Sequence, residues 1–143
     1  MIKSKVIRKG RKHITRADYE DIQVLLDSNN VILPIVSTLE ARALRRLFPE
    51  GSTLSHREFD RISHTYCLRG CIDRLRYKGW IIVNHDEAIM TQDPVPRKAV
   101  YTRYELFATF TPELQERIKL FCDAVDRFEA DAVRTASTQN KAV

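Results

Sequence analysis

Three arginines, two glycines, an aspartate and two tyrosines crowd into the stretch TYCLRGCIDRLRYKGW, Thr65 to Trp80. At about 100° of rotation per helical residue, Leu68, Ile72 and Leu75 fall on one side with Cys71 beside them, which makes that side the core face. Tyr66, Arg69, Gly70, Asp73, Arg74 and Tyr77 fall opposite, preceded by Thr65, with Arg76 and Lys78 at the flanks. The outer set has a definite chemistry. An arginine fork matches the two acceptors on the major-groove edge of guanine, and a carboxylate can accept from a cytosine amine. Asp73 can also hold Arg69, four residues earlier. A glycine at position 70 allows close approach, and tyrosine hydroxyls can donate to phosphates. The plainer reading of the same pattern is a helix with a charged, solvated outer face.

Other chemistry has thinner support. His64, Cys67 and Cys71 have spacings of three and four, so they share a helix side, with His85 or Cys122 as conceivable further ligands. No CxxC or HxxxH pair seeds a zinc site, and Cys71 reads as a small core residue. A nucleophilic pair of Cys67 and His64 lacks a third group to orient the histidine. Asp18, Glu20 and Asp21 suit the first turn of a helix through its dipole. The four scattered glycines build no phosphate-binding loop. These absences lead us to expect no enzymatic activity and no cofactor.

The elements that would position the helix can be read outward from it. Gly79 supplies its C-terminal stop, and Trp80 to Val83 reads as a strand. Val100 to Phe107 reads as a second strand, joined to the first by a long 86–99 loop that contains Pro94, Pro96, Arg97 and Lys98. Upstream, Ser55-His56-Arg57-Glu58 is a capping box for a short helix ending near Ile62, stapled by Leu54 and Phe59. Ser37-Thr38-Leu39-Glu40 is a second box, opening a helix whose apolar stripe is Ala43, Leu44, Leu47 and Phe48. Residues 15–36 read as a helix with Tyr19, Ile22, Leu25 and Leu26 on one face, then an extended linker through Pro34. Residues 1–14 form a basic arm. Thr111-Pro112-Glu113 opens a C-terminal helix over 111–135, and residues 136–143 read as a frayed tail. In that last helix Leu114, Ile118, Phe121, Val125 and Phe128 repeat at spacings of four, three, four and three. Such a seam serves a two-stranded contact or packs back on the domain.

The order helix, short strand, helix, tight turn, helix, hairpin predicts a mainly α chain with a small β-hairpin, of the α+β class. Residues 54–82, LSHREFDRISHTYCLRGCIDRLRYKGWII, resemble the winged helix-turn-helix domains of bacteriophage and bacterial regulators, with the corner Leu75-Arg76-Tyr77-Lys78-Gly79-Trp80 as the sharpest match. The resemblance spans roughly residues 37–107. It implies sequence-specific binding to double-stranded DNA, as a repressor-like transcriptional regulator of a phage or mobile element acting as a homodimer. The contacts it implies are Thr65, Tyr66, Arg69, Gly70, Asp73, Arg74 and Tyr77 in the groove, with Arg97, Lys98 and Arg103 on the wing. The arm residues Lys3, Lys5, Arg8, Lys9, Arg11 and Lys12 are further phosphate contacts. The same module also serves in replication, partition or excision, and as an interaction module that inhibits a host protein.

Charge distribution agrees with an anionic partner. The net charge is +5 over 143 residues. Residues 1–16 hold seven Lys/Arg and no acid, whereas residues 17–36 hold four acids and no base. No apolar run reaches the length of a membrane span; the longest, Val31 to Val36, is interrupted by Pro34. Without an apolar leader segment, and with an odd count of three cysteines, a cytoplasmic, reduced protein is expected.

Overall fold

The computed structural model describes residues 25–49, 51–63 and 67–141, with side chains to residue 135. The basic arm, most of the predicted first helix, and Thr65 and Tyr66 lie outside the described residues. The chain is of mixed α and β type. Its order is β1 (Leu25–Leu26), α1 (Leu39–Leu47), β2 (Leu54–Ser55), α2 (His56–Ser63), α3 (Leu68–Tyr77), β3 (Ile82–Met90), β4 (Lys98–Leu106), β5 (Thr109–Phe110) and α4 (Pro112–Lys141). An antiparallel sheet runs β2-β4-β3, and β1 pairs in parallel with β5.

Local signals account for most element boundaries. Ser55 and Glu58 close the expected capping box: the Glu58 amide donates to Ser55 Oγ at 3.2 Å, and the Ser55 amide donates to Glu58 Oε1 at 3.1 Å. The end of α3 is stitched by two bonds, Gly79 N–H to Arg76 O at 3.0 Å and Trp80 N–H to Leu75 O at 3.1 Å. That geometry needs a left-handed residue, and Gly79 has φ +97°. A side chain there would also drive into the Asn30 carbonyl oxygen.

Several expectations need correction, among them the end of the last helix, which runs to Lys141 rather than stopping at 135. The cap of α1 is Thr38, not Ser37: its hydroxyl accepts from the Ala41 amide at 3.3 Å. Glu40 does not reach back to Ser37, because its carboxylate takes Lys78 at 2.7 Å and Arg74 at 3.4 Å, both from α3. Leu25 and Leu26 belong to a strand rather than a helix, since pairing with Thr109 and Phe110 supplies their backbone partners. The hairpin is also longer than expected. Trp80 precedes the strand, β3 runs to Met90, β4 starts at Lys98, and the 86–99 segment keeps only 91–97 as loop. Paired backbone groups extend the ladder through residues that lack an apolar alternation.

One core lies under these elements. Ala41, Ala43, Leu44 and Leu47 of α1, Phe59 of α2, and Leu68, Cys71, Ile72 and Leu75 of α3 are all buried. Trp80 sits at its centre, its indole donating to Ile32 O at 2.9 Å. Phe48 meets Trp80, Phe110 and Phe121 edge-on, with ring centroids 5.4, 6.4 and 6.0 Å apart. Helix α4 closes the core with Leu114, Ile118, Phe121 and Val125. The proposed dimer seam is therefore spent largely on its own chain; among its members only Phe128 stays substantially exposed, at 40%. Arginines on α1 clamp the same helix. Arg45 grips Asp126 with bonds of 2.9 and 3.0 Å. Arg46 holds both oxygens of Glu129 at 2.6 and 2.7 Å, and Arg42 adds a bond of 3.2 Å.

Candidate nucleic-acid interface

Helix α3 owes its rigidity to its inner face. Leu68, Cys71, Ile72 and Leu75 are at most 1% exposed, so the orientation of the outer face is fixed by packing. Arg69, Asp73, Arg74 and Tyr77 are exposed on the outside, and Gly70 is half-buried. Ser55 caps the neighbouring α2, which brings His56 and Arg57 to its first turn, both exposed.

The outer residues differ in their electrostatic situation. No ion pair engages Arg69 among the described residues. Its charge reaches His56 and Tyr104. Burial first, then Arg69, push the His56 pKa down. Burial raises the Tyr104 hydroxyl, while Arg76 and Arg69 pull the other way. Arg74 instead folds back along its own helix. Its guanidinium lies 3.4 Å from Glu40 and 3.5 Å from Cys71 Sγ, and a Cβ on Gly70 would sit 3.4 Å from it. Gly70 thus makes room for Arg74 as well as for any ligand. Desolvation raises the Cys71 thiol pKa, which keeps it neutral and suits its place in the core.

Arg76, a flank residue by its place in the sequence pattern, is buried, 8% exposed. Its guanidinium donates to Ile82 O at 3.1 and 2.8 Å and to Asn84 Oδ1, and lies 5.9 Å from the centre of the Tyr104 ring. It ties α3 to the base of the hairpin. The angular count misjudged it because β3 comes over that flank of the helix, which no periodicity along α3 alone records.

The residues expected on a wing are likewise unequal. Arg103 is engaged at the hairpin base, with Glu58 at 2.6 Å, Thr53 Oγ1 at 3.2 Å and Glu87 at 3.5 Å. Arg97 and Lys98 are exposed at the tip, where Arg97 makes a loose pair with Asp93 at 3.4 Å. The tip loop is closed by the Thr91 amide on Arg97 O at 2.7 Å and the Arg97 amide on Thr91 Oγ1 at 2.9 Å. Beyond the core the hairpin exposes Ile89, Met90, Val95, Val100 and Tyr101. Residues 82–106 carry four acids against three Lys/Arg, so the hairpin is not a basic surface. Residues 56–78, by contrast, carry six Lys/Arg against three acids.

His56 and Arg57 are not among the contacts that the winged-helix resemblance implies. Their signal was available: both follow the capping serine directly, so both must lie on the first turn of α2. Among the described residues, no three His, Cys, Asp or Glu side chains converge as metal ligands, and no helix is long and apolar enough to cross a membrane. Comparison with protein-family models, with curated proteins and with solved structures found no match.

Proposed function

We propose that this chain is a winged helix-turn-helix protein that binds double-stranded DNA, with α3 as the reading helix and transcriptional regulation as its task. The observation that supports this most is the pairing of a fully buried inner face on α3 with an outer face bearing Arg69, Gly70, Asp73 and Arg74. A helix held that rigidly can present an arginine fork to a guanine edge without loss of register. Arg69 is the principal reader and Asp73 the second. Arg57 on α2 and Lys98 at the hairpin tip serve as phosphate contacts, with Arg74 as a tethered third. Arg103 acts as a brace for the hairpin rather than as a contact.

The test is anisotropy binding to a random duplex pool, with selection of the bound fraction at two salt concentrations. A motif enriched by the native chain and lost in Arg69→Ala/Arg74→Ala supports the reading. Binding that fades with salt and enriches nothing leaves only backbone attraction, and no binding overturns the proposal.

A specific observation favours a second reading. The outer hairpin is apolar and acidic where a phosphate-following wing is expected to be cationic. A protein partner seated on Met90 and Val100, which share one face of the hairpin, fits that surface better than a DNA backbone does. Under this reading the chain is an interaction module, and Val100→Glu rather than Arg69→Ala abolishes its effect.

A further inference from the structure

The long final helix carries a second stripe that flanks the core-facing one. Arg117, Leu120, Ala124, Phe128 and Asp131 lie at spacings of three, four, four and three. Successive helical angles place all five within about 80° of one another. The core-facing stripe of Leu114, Ile118, Phe121 and Val125 lies beside it. Leu120 is 68% exposed and Phe128 is 40% exposed. Ala124 at the centre is half-buried, and the Arg117 and Asp131 ends are exposed.

The spacing of this stripe is the same from either end, with a large apolar residue on each side of Ala124 and opposite charges at its two ends. We infer that it is the interface for a second copy of this chain, with the two α4 helices packed antiparallel about a two-fold axis at Ala124. In that arrangement Ala124 meets the partner's Ala124, allowing close approach of the helix axes. Leu120 covers the partner's Phe128, and Arg117 faces the partner's Asp131 at both ends. A parallel arrangement sets Arg117 against Arg117 and Asp131 against Asp131, which disfavours it. Self-complementarity under a two-fold operation is what a closed dimer requires of one surface patch. The Asp131 carboxylate also touches Arg134, at 3.5 Å and largely in solvent, so it retains acceptor capacity for a second guanidinium.

The inference does not rest on DNA binding, and its test contains no DNA. Sedimentation velocity of the full chain over a wide concentration range is expected to show a reversible monomer–dimer equilibrium. Ala124→Arg places two charges on the axis and is expected to leave only monomer. Arg117→Asp and Asp131→Arg each set like charges against one another twice per dimer, and each is expected to weaken association by about tenfold. The double variant Arg117→Asp/Asp131→Arg restores opposite pairs and is expected to recover most of that loss. The three substituted positions face solvent or the stripe, and far-ultraviolet circular dichroism with a melting curve checks that each of the four variants is folded. A chain that stays monomeric, a dimer insensitive to Ala124→Arg, or a double variant no better than its parents overturns the inference.

Discussion

Arg69 and Arg74 stand little more than one helical turn apart, yet among the described residues only Arg74 is held in an ion pair. Arg74 shares a carboxylate with Lys78 and must give up its contact with Glu40 to reach a ligand. Arg69 has no such tether among the described residues. On the proposed DNA-binding reading, Arg69→Ala is expected to weaken specific binding by about 1–3 kcal/mol and relax preference at one base pair. Arg74→Ala is expected to cost less than half as much; anisotropy titrations on the selected site check the order. Arg76 belongs to stability. Its removal as Arg76→Ala strands Ile82 O and Asn84 Oδ1 inside the protein, at an expected cost of about 2–4 kcal/mol. Chemical denaturation measures this loss, and the midpoint should shift without a change in slope.

At the scale of elements, the turn between α3 and the hairpin is the most constrained point. Gly79 has a positive φ, and a side chain there collides with the Asn30 carbonyl oxygen, part of the segment that carries Val31 and Ile32. Ile32 N–H donates to Lys78 O at 2.9 Å, and its carbonyl receives the Trp80 indole. Gly79→Ala is expected to destabilise the chain by about 3 kcal/mol or more, from backbone strain together with a displaced segment. A lowered melting temperature with reduced protection of the Trp80 fluorescence against quenching marks that outcome. An unchanged melting temperature refutes it.

For the whole molecule, the clamp between α1 and α4 decides how the long helix sits. Arg46 most strongly, opposed by burial and aided by Arg42, holds the Glu129 carboxyl below the usual glutamate value. A lowered folded-state pKa means the unfolded chain takes up the proton first. The clamp's contribution is thus complete above the ordinary glutamate value and fades as pH falls toward the folded one. Glu129→Gln is expected to lower the melting temperature near neutral pH and to flatten the decline of stability below about pH 4.5. Parallel melting curves of native chain and variant across the acid range refute this if their difference does not depend on pH.

What the amino-acid sequence determined by itself was local. The Ser55–Glu58 box, the glycine corner at 79, and the buried stripe of Leu68, Ile72 and Leu75 were legible because each is decided within one or two turns of chain. So was the outward display of Arg69 and Asp73, which follows from that stripe. The tertiary structure decided everything that depends on a distant partner. Glu40 abandons its local box for cations on α3. Leu25 and Leu26 form a strand because β5 is there to pair with them. Arg76 and Arg103 turn inward because the hairpin base offers carbonyl, amide and carboxylate groups. The seam of α4 closes on its own core because α1 and Phe48 supply an apolar surface at once, within one chain, where a second copy must be met by diffusion. Each of these choices is a competition between a nearby group and a distant one, and the distant group wins when burial raises the worth of its contact.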